Sequence, residues 1–517
     1  MRGNVRKIAL ILGGGPGGGS YAAGAVVELL TALERVRTAD PPTLDVIVAS
    51  SAAALPAAVA ARALVVNPGL VPWIQRTWVD ALDAGVLLDP GRPDRDGLLA
   101  SGALHELAHT LIAGDRAADD RPSARFGGSL QVAFPLTPVR PSGAPVRSAL
   151  FELGTRHGAG DPVWSRLATA ALAASATPGL LPPVRLQGRD GTLLACDGEA
   201  GGDSLAALAR ALTARVDRST GVRREAVVVE PRLFAGSEPS GSARSRTAGA
   251  GPLASLVAAL GGTDPAAAWH EEALRQDRIA ALAGLAEQIG ELSGDLDDPR
   301  AVATGRRIGA LAEEVADRRV ARGETSRDGA ADPGLAVLDR DVERISDDPR
   351  YSAAFRGVET RAGRTRLAKL IFILEEASGM GGQASGRLHA VAPPADRPLA
   401  GPALGGLAGP LCRAWRSHDF EAGRRDLRRA LAEDMLDLPG EAAEASGEDP
   451  APVRAGLDTL PADDRRRLDR FLEAEVDRWL EAVRPGGLAG TLFGLGRSGA
   501  RRRGAAHLRE ALADLRI

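Results

Sequence analysis

The sequence predicts an α/β fold with a mainly parallel sheet, followed by a mostly α-helical C-terminal region. Three observations predict it. Short apolar runs rich in β-branched residues, such as Lys7 to Leu12 and Val46 to Ala49, each stop at a corner of small residues. A helical run follows each corner at once, which is the pattern of buried parallel strands feeding crossover helices. Beyond a Ser/Gly/Pro/Arg-rich stretch at 236–251 the strand signal fades and helical periodicity takes over.

Taken in order, residues 6–63 read as strand, glycine loop, helix (Tyr21 to Val36), strand, sharp corner and helix. Residues 67–100 are mixed, with a Pro/Gly/Asp/Arg loop from Asp89 to Gly97. Gly102 to Ala113 is expected to be helical, Ser129 to Val139 and Ser148 to Leu153 strands, and Pro162 to Ser175 a helix. Leu186 to Asp197 closes a strand or hairpin, Ser204 to Val216 is helical, and Glu225 to Glu230 is a further buried strand. Helices are then expected at about 255–292, 296–322, 350–378 and 463–484, with no strand among them. The organisation is therefore an α/β domain at 1–235, a loop or linker at 236–251, and a helical region at 252–517 packing on or capping that domain.

A chain of 517 residues has ample core for two domains or one large one. Its 64 basic and 67 acidic residues nearly balance, so no polyanion footprint stands out and no nucleic-acid partner is expected. Lysine occurs only at Lys7 and Lys369, so arginine carries almost all the positive charge. Cys196 and Cys412 are the two cysteines, too few for a disulfide framework. No signal-peptide layout opens the chain, and the most apolar window, Val46 to Val66, is interrupted by Pro56 and Arg62. The expectation is a reduced, cytoplasmic protein in peripheral contact with a membrane surface.

The chemistry-bearing stretch is Ala49-Ser50-Ser51-Ala52-Ala53, at the corner between a strand and a helix. A serine held there presents its Oγ at the carboxyl end of the sheet, and the helix N-terminus behind it favours developing negative charge. The usual spacing is G-x-S-x-G, and both glycines are alanine here, at Ala49 and Ala53. Upstream, Gly13-Gly14-Gly15-Pro16-Gly17-Gly18-Gly19 joins a strand to a helix and gathers main-chain amides around an anion-sized concavity. Nucleotide phosphates or an acyl-transfer oxyanion use such a cradle. The nucleotide readings fit poorly: no Gly-Lys-Ser/Thr follows the loop, and the second strand ends in Ala49-Ser50-Ser51 instead of an acidic residue. Downstream, Ala174-Ser175-Ala176-Thr177-Pro178-Gly179 ends a helix, and a strand ends in Asp197-Gly198, a plain turn or a carboxylate at the serine's edge of the sheet.

This order of glycine loop, elbow serine, A-S-x-x-P-G-x-x-P-P and D-G resembles the patatin-like phospholipase family, whose motifs are G-G-G-x-x-G, G-x-S-x-G and D-G-G/A. The resemblance implies a three-layer α/β sandwich that hydrolyses acyl esters with a Ser–Asp dyad. It implies Ser51 as nucleophile, Asp197 as base, and the backbone of Gly13, Gly14, Gly15, Gly17 and Gly18 as oxyanion hole. A lipid or acyl ester is the implied substrate, with no metal or organic cofactor. The chain departs from the family at Ala49, at Ala53, at Glu199 in place of the third D-G-G/A residue, and in lacking a basic residue inside the glycine loop. A second stretch, Arg416-Ser417-His418-Asp419-Phe420-Glu421-Ala422-Gly423-Arg424, is similar to a segment near the end of longer bacterial patatin-like proteins. Asp419 and Arg424 are expected to serve helix pairing there.

Two alternatives remain in view. The alanines at the corner fit a catalytically weakened member of the same fold, kept for lipid binding or partner contact. A zinc hydrolase is the other, because His105-Glu106-Leu107-Ala108-His109 spells H-E-x-x-H, with Glu152 or His157 as third ligand. Against zinc, Ile112 stands where the longer motif has glycine, and the core stripe of that helix runs beside the histidines.

Overall fold

A computed structural model of the chain describes residues within 5–82, 101–232, 281–289, 302–401, 411–436 and 453–509, with short gaps inside these ranges. The stretch at 236–251, the expected loop at 89–97 and Glu199 lie outside the described residues.

The fold is mixed α/β around a central, mostly parallel sheet. In chain order the elements are β1 (Val5–Leu12), α1 (Gly19–Arg35), β2 (Thr43–Ala49), α2 (Ala54–Val65), α3 (Val71–Gln75) and α4 (Gly102–Ala108). They continue with β3 (Phe126–Pro138), β4 (Arg147–Gly154), α5 (Val163–Ser175), β5 (Val184–Gly188), β6 (Gly191–Asp197), α6 (Leu205–Val216) and β7 (Val222–Val229). The remainder comprises α7 (Val302–Ala321), α8 (Pro333–Asp347), α9 (Arg361–Ala377), β8 (Gly386–Val391), α10 (Arg413–Ala432) and α11 (Ala462–Ala482).

The eight strands run in the order β5-β6-β3-β2-β1-β7-β8, with β4 pairing on β3. β2 and β3 are parallel, whereas β3 pairs antiparallel with both β4 and β6, and β5 with β6 forms the expected hairpin. β8 is a correction to the sequence reading, which expected no strand after 252. Its six residues offer only a short alternation, Leu388 and Ala390 against His389 and Val391, and an edge strand needs no long apolar run.

By its contacts the chain divides into two compact units, but not at 236–251. One unit joins Ile8–Arg210, Glu225–Ala268 and His389–Ile517; the other joins Met1–Lys7, Ala211–Arg224 and Trp269–Leu388. Residues from His389 onward group with the unit that holds the glycine loop and the corner. Sequence composition reports local preference and is blind to a chain that leaves a core and returns to it.

In the first of these units, α1, α2 and α5 bury their apolar faces against the strands, with Ile8, Leu10, Leu12, Leu29, Ile47, Leu130, Phe134 and Trp164 in one core. Arg62, inside the apolar run of α2, is buried by donating to the carbonyls of Ile112, Gly114 and Ala159, and it stacks over the Trp164 ring. Among the described residues no helix is long and apolar enough to cross a membrane.

In the other unit α7, α8 and α9 enclose Val337, Leu338, Ile345, Leu367, Ile371 and Phe372. A buried ionic network ties the same helices: Arg319 to Asp341 (2.8 Å), Arg344 to Asp341 (2.9 Å), Arg344 to Glu375, and the Tyr351 hydroxyl to Glu375 (2.8 Å). Burial alone would raise the Asp341 carboxyl, but the guanidinium groups of Arg344 and Arg319 outweigh it and hold it below its ordinary value.

Candidate functional site

The corner after β2 is a strained turn. Ser50 is extended, Ser51 takes a left-handed conformation at φ +52°, and Ala53 and Ala54 are already right-handed helical. For a residue bearing a Cβ the left-handed region costs about 1–2 kcal/mol, so the surrounding structure must impose it. Two main-chain bonds do so: Ser50 N donates to Leu12 O (3.0 Å) at the end of β1, and Ala53 N donates to Ser50 O (3.2 Å). The Ser175 hydroxyl shares its single proton between Ala171 O in its own helix (2.8 Å) and Ser51 O (3.1 Å). Neither alanine of the corner needs a glycine conformation: Ala49 ends a strand, and Ala53 sits at φ −81°, ψ −12°. The positive φ falls on the serine alone, so the methyls at 49 and 53 leave the turn intact.

Ser51 is 0% exposed, and among the described residues its Oγ has no hydrogen-bond partner. A buried, unsatisfied hydroxyl on a strained residue is the kind of exception that folds keep for chemistry. The expected hydrogen bond from Ser51 to Asp197 is thus not made in this structure.

Asp197 lies towards the corner's end of the sheet. Val48 of β2 pairs with Ala133 of β3, and Asp197 of β6 pairs with Leu136, three residues further along β3. β2 ends at Ala49, so the corner and Asp197 leave the sheet towards the same end of β3, on either side of it. Consecutive residues at the end of α5 hold them there: Ser175 at the carbonyl of Ser51, and Ala176, whose carbonyl accepts from Asp197 N at 3.1 Å. Gly198 follows because a methyl there would lie 2.3–2.6 Å from the backbone of Pro135 and Leu136. The D-G pair is therefore set by β6 turning hard against β3. Next to Asp197, burial and secondly that carboxylate push the Cys196 thiol up to about 11, which keeps it protonated and unreactive.

The glycine loop lies directly on the corner. A methyl on Gly14 would come within 2.4 Å of the Ala53 amide nitrogen and 2.9 Å of the Ala52 nitrogen, so only glycine allows this main-chain approach. Gly15 and Gly17 take positive φ values of +54° and +79°. Not all five predicted glycines offer an amide: Gly13 N donates to Val229 O (2.9 Å) and Gly18 N makes a longer bond to Gly15 O (3.4 Å). Gly13 and Gly18 are thereby removed from the predicted set, which leaves Gly14, Gly15 and Gly17 as candidates. The loop carries no basic residue of its own, but Arg232 supplies one beside it: a Gly15 methyl would lie 2.7 Å from its Nε, and its Nε pairs with buried Glu230 at 3.4 Å.

Sequence reasoning missed Ser175 as the brace of the corner, the Ala52 amide as the neighbour of Gly14, and Arg232. Ser175 stood in a motif already singled out, but no local pattern tells that its hydroxyl reaches residue 51. The segment at 416–424 gave the other surprise. Arg424 pairs with Glu28 of α1 at 3.0 Å, the helix-pairing role expected of it. Asp419 instead accepts main-chain amides from Ala400 and Gly401.

His105 and His109 lie one helical turn apart at the end of a short helix. His109 N still bonds to His105 O, so the two keep the i, i+4 spacing, but α4 ends at Ala108 and a widened π-type turn follows from His109 to Ala113. His157 Nδ1 is taken up by the backbone of Gly154 (2.9 Å to its nitrogen). Among the described residues no three His, Cys, Asp or Glu side chains converge to hold a metal ion. In comparisons with known proteins, no family model matches this chain and no curated protein matches it.

Proposed function

We propose that this protein is a serine acyl hydrolase of patatin-like, three-layer architecture, acting on the acyl esters of phospholipids or lysophospholipids. One observation carries the reading. A single non-glycine residue at the strand–helix corner, Ser51, is held at positive φ with an unpartnered hydroxyl, and the glycine loop rests on the amides that follow it.

In this reading Ser51 Oγ attacks the ester carbonyl and Asp197 accepts its proton. The negative charge moves to the carbonyl oxygen, where the amides of Gly14, Gly15 and Gly17 receive it. Collapse releases the alcohol, protonated from Asp197, and water then cleaves the acyl-serine by the same route in reverse. Aspartate has an ordinary pKa of about 3.9, so it serves as base only in direct contact with Oγ in a dry site. That contact is absent in the free protein, and the reading requires it to close when substrate enters, as catalytic hydrogen bonds often do. Because Ser51 is wholly buried, substrate entry also requires an opening motion.

A second reading rests on the same two facts, the buried hydroxyl and the missing bond to Asp197. It is a catalytically weakened relative that binds lipid without cleaving it. Fatty-acid release from lysophosphatidylcholine micelles and phosphatidylcholine vesicles separates the two. The first reading expects turnover by the natural sequence that is lost in Ser51→Ala and Asp197→Asn. Vesicle binding without any release supports the second, and turnover that survives Ser51→Ala overturns the first.

A further inference from the structure

The segment Leu399 to Gly401 lies far along the chain from the glycine loop, yet it touches it. A methyl on Gly401 would fall 2.2 Å from the carbonyl oxygen of Gly17, so the two glycines meet backbone to backbone. Gly17 is the residue whose φ of +79° bends the loop towards α1. What holds the 399–401 turn in place is one buried side chain on α10. Asp419 Oδ1 accepts from Ala400 N (2.8 Å) and Oδ2 from Gly401 N (2.6 Å), while His418 Nδ1 lies 3.1 Å from Oδ1.

The helix that carries Asp419 is also the one on which α1 is seated. A methyl on Gly24 would lie 1.9 Å from Phe420 O, and one on Gly423 would lie 2.1 Å from Tyr21 O, so α1 and α10 cross with their backbones in contact. Tyr21 donates to Asp426 (3.1 Å), and Glu28 takes both Arg424 and Arg428 at 3.0 Å. α1 begins at Gly19, immediately after the loop. α10 therefore fixes the helix that leaves the loop and, through a single carboxylate, the backstop against its middle.

We propose that Asp419 is a positioning residue for the anion-binding loop: by chelating the amides of Ala400 and Gly401 it presses that turn against Gly17 and sets the direction of the loop amides. A carboxylate bonded to two main-chain donors in a buried place is a strong and directional brace. The catalytic consequence rests on the acyl-hydrolase reading; the effect on the loop itself does not.

Two variants and one control test it. Asp419→Asn keeps the shape but turns one acceptor into a donor facing an amide. Gly401→Ala keeps the carboxylate but drives a methyl at the Gly17 carbonyl (2.2 Å) and at Asp419 Oδ2 (2.7 Å), so it wedges the same contact from the other side. Arg424→Ala, the control, weakens the same pair of helices away from the loop. Both test variants are expected to speed hydrogen exchange in the 13–18 segment by about tenfold. They are also expected to slow fluorophosphonate labelling of Ser51 by about 10–100-fold, while melting no earlier than Arg424→Ala. The control is expected to leave loop exchange and labelling at the level of the natural sequence. If Asp419→Asn fails to fold, Gly401→Ala carries the comparison. Loop exchange unchanged in the test variants, or changed equally in the control, overturns the proposal. Should the natural sequence take no label at all, the acyl-hydrolase reading fails, and the exchange data alone still decide the role of Asp419.

Discussion

A buried serine held in strain should be replaceable by a more stable residue, and Ser51 lets that be worked out. Two unfavourable contributions meet at this residue. A buried hydroxyl with no partner costs about 1–3 kcal/mol, and a left-handed backbone with a Cβ costs about 1–2 kcal/mol. Ser51→Ala removes only the first, since alanine keeps the Cβ at φ +52°. It is expected to stabilise the unit containing the sheet by about 1–2 kcal/mol. Ser51→Gly removes both, offset by about 0.5–1 kcal/mol for the extra chain entropy of glycine, leaving a gain of about 1–3 kcal/mol. Urea unfolding followed by tryptophan fluorescence reads this unit, because Trp78, Trp164 and Trp415 are buried within it. The midpoint should rise for both variants, at least as far for glycine as for alanine, with an unchanged slope. A loss of 1 kcal/mol or more in Ser51→Ala, of the order expected for breaking one hydrogen bond, would refute the reasoning. The hydroxyl would then be a structural donor with a partner, and the corner an ordinary turn.

Other consequences follow from the same geometry. Asp197→Asn keeps the bond from its backbone nitrogen to Ala176 and removes the proposed base, so on the acyl-hydrolase reading fatty-acid release should fall by about 100-fold or more. Gly24→Ala places a methyl against the Phe420 carbonyl, with no flexible side chain to give way, and should destabilise the α1–α10 pair by about 1–3 kcal/mol in urea unfolding. Because the folded Asp341 carboxyl lies below its ordinary value of 3.8, its contribution is complete above that pH. The contribution fades as pH falls through the lower folded value, so acid titration by circular dichroism should show a loss of helix below about pH 4 that Asp341→Asn removes. At neutral pH that variant leaves Arg319 and Arg344 short of a buried partner and should cost about 3–5 kcal/mol.

The corner and the loop were legible because each is a local pattern with a local cause. Val46 to Ala49 followed by serines and alanines fits a buried strand ending at a helix start, and the glycine loop upstream strengthens that reading. Asp197-Gly198 was legible as a turn, and the reason for its glycine, contact with the backbone of Pro135 and Leu136, needs the pairing of β6 on β3. What the sequence hid is non-local. Nothing near Ser175 says that its hydroxyl braces a carbonyl 124 residues away, and nothing near Asp419 says that it holds a turn against Gly17. The chain's return to the sheet-bearing unit after residue 388 was hidden for the same reason, and with it β8, whose short alternation is weak beside long helical runs. The H-E-x-x-H string could be read only as two histidines one turn apart, since five letters cannot show whether a third ligand converges on them; among the described residues none does.

On the acyl-hydrolase proposal the hydroxyl of residue 51 is a nucleophile served by the glycine loop. Treatment with a fluorophosphonate, read by intact mass spectrometry and peptide mapping, reports on that hydroxyl alone. One adduct per chain is expected, on Ser51, absent in Ser51→Ala and slowed in Asp197→Asn. An adduct on another serine, or a fully folded protein that takes none at any concentration of the reagent, would contradict it.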